Sequence, residues 1–210
     1  MLSACFFGFL GIIITSYNSA AIVSSVPFGS GQMFDLIAQY YDRGNEFLSL
    51  GLHKSWKRDL LDEIRLNGRS RLLDLATGTA DIAIMAASTY GCSVTGIDPS
   101  SQMLAVALQK GWQKNLNQLV KLEKADAQDL SFLQAESFDR VTISFGIRNV
   151  PNRMRALQES FRVLRKDGLL GILELTPPEI STWSGSAVAL AVKTLVPMIG
   201  WLASGRAAEY

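Results

Sequence analysis

An acid-bearing turn is the part of this 210-residue chain best equipped to hold a ligand. Residues 71–83 read RLLDLATGTADIA. The apolar run of Leu72, Leu73 and Leu75 has strand length, Gly78 lets the backbone turn with no Cβ in the way, and Asp81 is placed to cap a following helix. Roughly 20 residues further on, a second apolar run, Cys92 to Asp98, ends in a carboxylate, where Rossmann-like units place the acid that accepts both hydroxyls of a ribose. The spacing suits an adenosine ligand. A dinucleotide is disfavoured, because its fingerprint uses three glycines to let pyrophosphate approach the helix N-terminus, and here Ala76 and Ala80 flank a single Gly78. Asp74, at the strand end, would repel phosphate and attract a cation. A sulfonium that also bears an amino group meets both conditions, which points to S-adenosylmethionine, with Asp74, Gly78 and Asp98 among its contacts. Taken alone, the same pattern also describes an ordinary α/β turn without a ligand.

Two more strand ends converge on the same crevice. Leu119 to Glu123 forms a third apolar strand, followed by Ala125, Asp126 and Ala127. The Asp126 carboxylate can receive the adenine amino group, and Ala127 leaves room for the ring. Ser137 to Gly146 is a fourth strand with polar atoms at its carboxyl end, where open parallel sheets bind ligands. Strands alternate with helices of matching length: one opens at Asp98 and carries Met103, Leu104 and Leu108, and another runs from about Asn152 and carries Met154, Leu157, Phe161 and Leu164. Such alternation predicts an α/β, Rossmann-like fold with right-handed crossovers and a parallel sheet of order 3-2-1-4-5. Ahead of it, Phe34, Ile37, Tyr41 and Phe47 recur at helical spacing and predict an amphipathic lid over the crevice, with Trp56 and Leu60 to Ile64 on the next helix.

These motifs, in this order, resemble the ubiquinone/menaquinone biosynthesis C-methyltransferase family of class I S-adenosylmethionine-dependent enzymes. The resemblance runs from Phe34-Asp-Leu-Ile-Ala-Gln-Tyr-Tyr-Asp42 through Asn45, Leu50 to Trp56, Leu73 to Asp81, Thr142 to Val150 and Arg162 to Leu164, ending at Leu173 and Glu174, and it covers residues 33–210. The segment Ser144-Phe-Gly-Ile-Arg-Asn149 is far more specific than the glycine turn. The resemblance implies C-methylation of a polyprenylated benzoquinol or naphthoquinol. It assigns Thr79, Asp98, Asp126, Ala127 and Ser144 to S-adenosylmethionine. A quinol carbon becomes nucleophilic as its neighbouring hydroxyl loses a proton, so the site needs a phenolate stabiliser. Arg148 is the leading candidate and Asn149 can bond the same oxygen; read structurally, Arg148 is an ion-pair residue and Asn149 a helix cap. Tyr41 and Asp42 of the lid can close over the reacting centre, and Tyr41 equally suits a core aromatic. His53 reads as a capping or surface histidine.

Three departures from the family pattern stand out. Ala80 replaces a glycine, which is tolerable at negative φ. Lys166-Asp-Gly168 replaces a Pro-Gly-Gly turn. The chain also ends at Tyr210, before the antiparallel strand pair that completes the family's sheet, so strand five, Leu169 to Leu175, is expected as a bare edge.

Nearly half the residues are apolar and net charge is +1, which fits one globular domain and gives no basic field for nucleic acid. One histidine and two distant cysteines leave no zinc cluster and no disulfide framework. Residues 1–30 read as an apolar leader or a misassigned start, set apart from a methyltransferase domain at 31–210 that is incomplete at its C-terminus. Residues 186–203 are apolar apart from Lys193, and suit either a channel for the polyprenyl tail and contact with a bilayer surface, or core packing. The expected location is peripheral to a membrane, in a plastid or mitochondrion, or on the cytoplasmic face of the inner membrane in a bacterium. Other quinone-pathway enzymes or a second copy are the expected partners. The rival readings are a non-catalytic scaffold of a quinone-biosynthesis complex, a methyltransferase for another small molecule, and a nicotinamide oxidoreductase, which Asp74 and the single glycine disfavour.

Overall fold

A computed structural model describes residues 2–7, 10–16, 31–49 and 51–175. At its centre is strand β3 (Arg71–Leu75), in parallel register with β4 (Ser93–Asp98) on one side and β6 (Phe138–Ser144) on the other. Strand β5 (Val120–Lys124) extends the sheet beyond β4, and β7 (Leu164–Leu175) lies parallel to β6. Counted along the chain, the five parallel strands follow the expected order 3-2-1-4-5.

Burial follows position in the sheet. Strand β3 is buried from Leu72 to Leu75, as a central strand covered on both faces must be, whereas β5 keeps only alternate residues partly covered. Leu73, Leu75, Val141, Ile143, Leu170 and Ile172 share one face with Ala156 and Val163 of helix α5 (Arg153–Val163). On the other face, Leu72 and Val94 pack with Leu60, Leu61 and Ile64 from helix α2 (Leu52–Glu63) and its end, and with Ile82 to Ala87 of helix α3 (Asp81–Tyr90).

Helix α4 (Ser101–Gln113) starts where the sequence places it: Ser100 Oγ accepts from Met103 N at 3.1 Å. Asn152 likewise caps α5, accepting from Arg155 N at 3.0 Å. The predicted apolar faces are met in part: Met103 and Leu104 of α4 are buried as expected. Leu108 is exposed while Ala107 and Gly111 are buried, and in α5 Met154, Leu157 and Phe161 are half-buried while Ala156, Ser160 and Val163 turn inward. Small residues let these helices lie close to the sheet, and counting only large apolar side chains misplaces the inward face.

The edge expected to be bare is paired. Strands β1 (Leu2–Phe7) and β2 (Leu10–Ser16) form an antiparallel hairpin, and β2 runs antiparallel to β7 from Leu10 opposite Leu175 to Ser16 opposite Leu169. The sequence reading set residues 1–30 outside the fold. An unbroken apolar run fits a leader as well as a strand, and periodicity cannot separate the two. The expectations for residues 176–210, the apolar segment at 186–203 and the missing C-terminal strand pair among them, lie outside the described residues.

Arg162 staples α5 to the loop after β5. Its guanidinium donates to Glu159 and to the carbonyls of Leu130 (2.6 Å) and Leu133 (2.9 Å), while the buried Glu159 carboxylate accepts from Leu130 N at 2.9 Å. Removing the cation leaves Glu159 buried without its counter-charge. Arg162→Leu is expected to cost about 3 kcal/mol of unfolding free energy, measured by urea titration; a loss within error of zero would show that water replaces the guanidinium.

Candidate functional site

The carboxyl ends of β3, β4 and β6 open into a cavity of about 140 Å³ that the helix α1 (Gly31–Leu48) covers. Phe34 and Tyr41 come down from α1, their rings edge to face at 6.2 Å. Ala76 and Gly78 form the floor, Asp98, Pro99 and Met103 one wall, and Asp126 and Ala127 the end of the next strand. Ser144, Gly146, Asn149, Val150 and Pro151 complete the opposite side. The lid is pinned at its start, where Asp35 Oδ1 accepts from Ser100 Oγ at 2.5 Å and from Gln102 N at 3.1 Å.

The floor is a contorted piece of backbone. Ala76, Gly78 and Ala80 all have positive φ (52°, 57° and 64°), as does Phe145 (54°) across the cavity. Gly146 is where the two sides meet: a Cβ there would lie 2.5 Å from that of Ala76. Ala80, expected at negative φ, is thus left-handed and stands as the N-cap of α3 with no side-chain hydrogen bond. Asp81 does not cap the helix either, because its carboxylate is engaged by Lys57 and Lys110. A residue with a Cβ costs about 1 kcal/mol or more in the left-handed region, partly offset by the larger unfolded-state freedom of glycine. Ala80→Gly is therefore expected to raise stability by about 0.5 kcal/mol, read from the melting temperature; a lower one would show that the turn does not strain Ala80.

Asp98 secures the turn from beside it. Its Oδ2 accepts from Gly78 N and its Oδ1 from Ser100 N, each at 2.9 Å. Burial pushes the Asp98 carboxyl up from its ordinary pKa, and these two amides oppose the shift. Ser144 Oγ is buried against the cavity and has no hydrogen-bond partner in the protein. An unsatisfied buried hydroxyl at a cavity wall has its donor and acceptor open to a ligand or a water. Asp126 is exposed and accepts from Gln128 Nε2 at 2.8 and 3.0 Å. Burial raises the Tyr41 phenol, and an Asn45 hydrogen bond works against it.

Of the residues singled out from sequence, the cavity brings together Tyr41, Gly78, Asp98, Asp126, Ala127, Ser144 and Asn149. Arg148, Thr79, Asp74 and the lid's Asp42 lie elsewhere. Arg148 is half exposed and its Nη1 is paired with Glu174 at the end of β7. Thr79 is buried under the turn, donating to Asp42 Oδ1 at 2.5 Å. Asp74 is enclosed within the sheet, where Thr77 Oγ1 (2.6 Å) and Thr142 Oγ1 (2.8 Å) both donate to it. A strand-end acid looks ligand-facing in sequence, but the period of two turns Asp74 toward the helices. His53 is buried, with Nδ1 2.7 Å from Ser49 Oγ, and braces the junction of α1 and α2. Phe34 comes down from the lid that the sequence predicts, whereas sequence reasoning missed Met103 as a cavity wall, since it looks like a core residue.

These contacts belong to a known lineage. A model of the ubiE/COQ5 methyltransferase family matches residues 28–210. The chain belongs to that family. A demethylmenaquinone methyltransferase of Thermotoga maritima is 38% identical over 175 residues, spanning 83% of this chain and 73% of the relative. A ubiquinone/menaquinone biosynthesis C-methyltransferase of Geotalea daltonii is also 38% identical, over 82% and 74%. Among solved structures, the cyclase SpnF superposes with a TM-score of 0.64 over 71% of this chain and 61% of its own, at 23% identity. That likeness shows the fold alone, since one fold hosts many chemistries.

Burial raises the pKa of Asp74 to about 6, with both threonine hydroxyls pulling the other way. A carboxyl whose folded pKa lies above its unfolded value of about 4 binds more protons folded than unfolded. Its stabilising contribution is full below about pH 4 and lost as pH rises through about 6. Asp81 has the opposite sign: burial would raise it, but Lys57 and Lys110 together hold it well below the usual range, so its contribution is lost only in stronger acid. Asp74→Asn should therefore flatten the fall in unfolding free energy between about pH 4 and 6, a change of order 2 kcal/mol. Urea titrations across that range would show it, and an unchanged slope would mean that Asp74 does not titrate there.

Proposed function

We propose that this protein transfers a methyl group from S-adenosyl-L-methionine to a ring carbon of a polyprenylated benzoquinol or naphthoquinol. Family membership supports methyl transfer in quinone biosynthesis. The observation that carries the ligand assignment is the unpartnered Ser144 hydroxyl facing Asp98 across a cavity otherwise walled by Phe34, Pro99, Met103 and Ala127. Such a site offers a paired acid for ribose hydroxyls, a lone hydroxyl, and apolar walls for a base. Asp98, Asp126, Ala127 and Ser144 would hold the cofactor, with Gly78 at the turn. When bound, it supplies an activated methyl on a sulfonium.

What the protein adds is alignment and exclusion of water, because displacement at a sulfonium methyl is limited by orientation. Tyr41 and Asn149 are the uncharged polar side chains that share the cavity with Ser144, and they are placed to hold the hydroxyl of a quinol. Burial keeps the Tyr41 phenol protonated and able to donate. Arg148, one residue from Asn149, acts from the rim, where its positive charge favours a nearby phenolate.

Peripheral attachment to a membrane fits the outer surface of the lid layer. Tyr40 on α1 and Leu108 and Trp112 on α4 are exposed, and these two helices pack on each other. Aromatic side chains with a polar edge suit the headgroup boundary. A membrane of a plastid, a mitochondrion or a bacterium is the setting that supplies such a substrate.

Methyl-labelled S-adenosyl-L-methionine mixed with the protein and a short-chain demethylmenaquinol or benzoquinol in micelles tests the activity. Label should enter the quinol ring, as read by mass spectrometry; binding of the cofactor without any methylated quinol would favour a scaffold. Asp98→Ala should weaken cofactor binding by about 2 kcal/mol, the scale of lost charge-assisted hydrogen bonds. Titration calorimetry reads it, and unchanged affinity would remove Asp98 from the site.

A further inference from the structure

Where the lid, the turn and helices α2, α3 and α4 meet lies a cluster of charges that the cofactor assignment does not use. Lys110 Nζ on α4 reaches three groups: Asp42 Oδ2 on the lid at 2.8 Å, Thr79 Oγ1 on the turn at 3.1 Å, and Asp81 Oδ1 at the start of α3 at 2.5 Å. Thr79 Oγ1 donates in turn to the other oxygen of Asp42. Lys57 on α2, nearly fully buried, binds the other oxygen of Asp81 at 2.9 Å. Two cations and two carboxylates balance, and one hydroxyl joins them.

The arrangement is more than neutral packing. It ties together five pieces of chain, α1, α2, the turn, α3 and α4, and only Lys110 touches three of them. Burial alone would depress the Lys110 ammonium, but Asp81 and Asp42 outweigh it and keep it charged. Thr79 is fixed between two left-handed residues, Gly78 and Ala80, at a helix start with no side-chain cap. The turn is closed around Thr79 by a hydrogen bond of 2.9 Å from Ala80 N to Thr77 O, and the Thr79 side chain is held from outside it by Asp42 and Lys110. Tyr41, the neighbour of Asp42, forms the lid side of the cavity, and a Cβ built on Gly78 would lie 4.0 Å from its Cε1.

We infer that Lys110 is a positioning residue for the cofactor: through Asp42 and Thr79 it locks the lid helix α1 onto the turn, so that lid closure and the shape of the turn are one event. The inference rests on the cofactor reading above and adds the element that prepares the site. It needs no contact between Lys110 and ligand.

Two measurements on Lys110→Met, Asp42→Asn and the double variant test it. In ligand-free protein, amide hydrogen exchange in α1 should quicken at least tenfold in each single variant, while β3 and β4 keep their protection. Affinity for S-adenosylhomocysteine should fall about tenfold in each, and the double variant should be no weaker than Lys110→Met, because both substitutions break one link. A purely structural role would lower the melting temperature without this selective loosening or non-additivity. Unchanged α1 exchange, or affinity losses that multiply in the double variant, would overturn the coupling. If Lys110→Met does not fold, Asp42→Asn decides alone, since Asp42 is part exposed and its loss leaves Lys110 paired with Asp81. Should the unaltered protein bind no S-adenosylhomocysteine, the cofactor reading fails, and the exchange experiment still decides the coupling.

Discussion

The backbone between β3 and α3 passes through the left-handed region at Ala76, Gly78 and Ala80 within five residues, and the rest of the site exists to keep it there. Only one of the three is glycine. Each alanine costs about 1 kcal/mol or more in that conformation, so the turn persists only if its surroundings over-determine it. Asp98 does so from β4 through the Gly78 amide, and Thr77 N is held by the Ile97 carbonyl at 3.0 Å. Gly146, just past the end of β6, leaves the space that the Ala76 Cβ occupies. Asp42 and Lys110 hold the turn from the lid side through Thr79.

That constraint explains the division of labour among the acids. Asp98 faces the cavity with both oxygens already held by amides, which orients it without neutralising it. Asp74, one strand over, is enclosed and bonded by two threonine hydroxyls, so its work is to fix Thr77 and Thr142 rather than to meet a ligand. Asp81 sits at the positive end of α3, where a carboxylate is favoured, and gathers two lysines that join the helices around it. Three acids close in sequence thus have three roles, set by which face of a strand or helix each occupies.

Much of this was legible in the sequence because strand and helix periods are local. The five parallel strands, their order, the starts of the helices after β4 and β6, and the cavity residues at strand ends all follow from patterns within one element and its turn. What escaped depends on partners distant in sequence. Lys110 and Asp42 are brought together only by the packing of α4 on α1, and the pairing of Arg148 with Glu174 joins the ends of two neighbouring strands. The rotation of α5 was hidden because Ala156 and Ser160, rather than larger neighbours, face the sheet. The φ of Ala80 was misread because sequence shows a missing glycine but not the angle the turn demands. Strands β1 and β2 share the apolar composition of a leader, and the pairing of β2 with β7 depends on partners distant in sequence.

The central claim is that the cavity between Asp98 and Ser144, closed by Tyr41, is where S-adenosyl-L-methionine sits. Crystals of the protein grown with S-adenosylhomocysteine test it most directly. The account predicts density in that cavity, with ribose oxygens on Asp98, a bond to the Ser144 hydroxyl and the base beside Ala127. Density at another site, or ligand in the cavity with Asp98 and Ser144 both untouched, would contradict it.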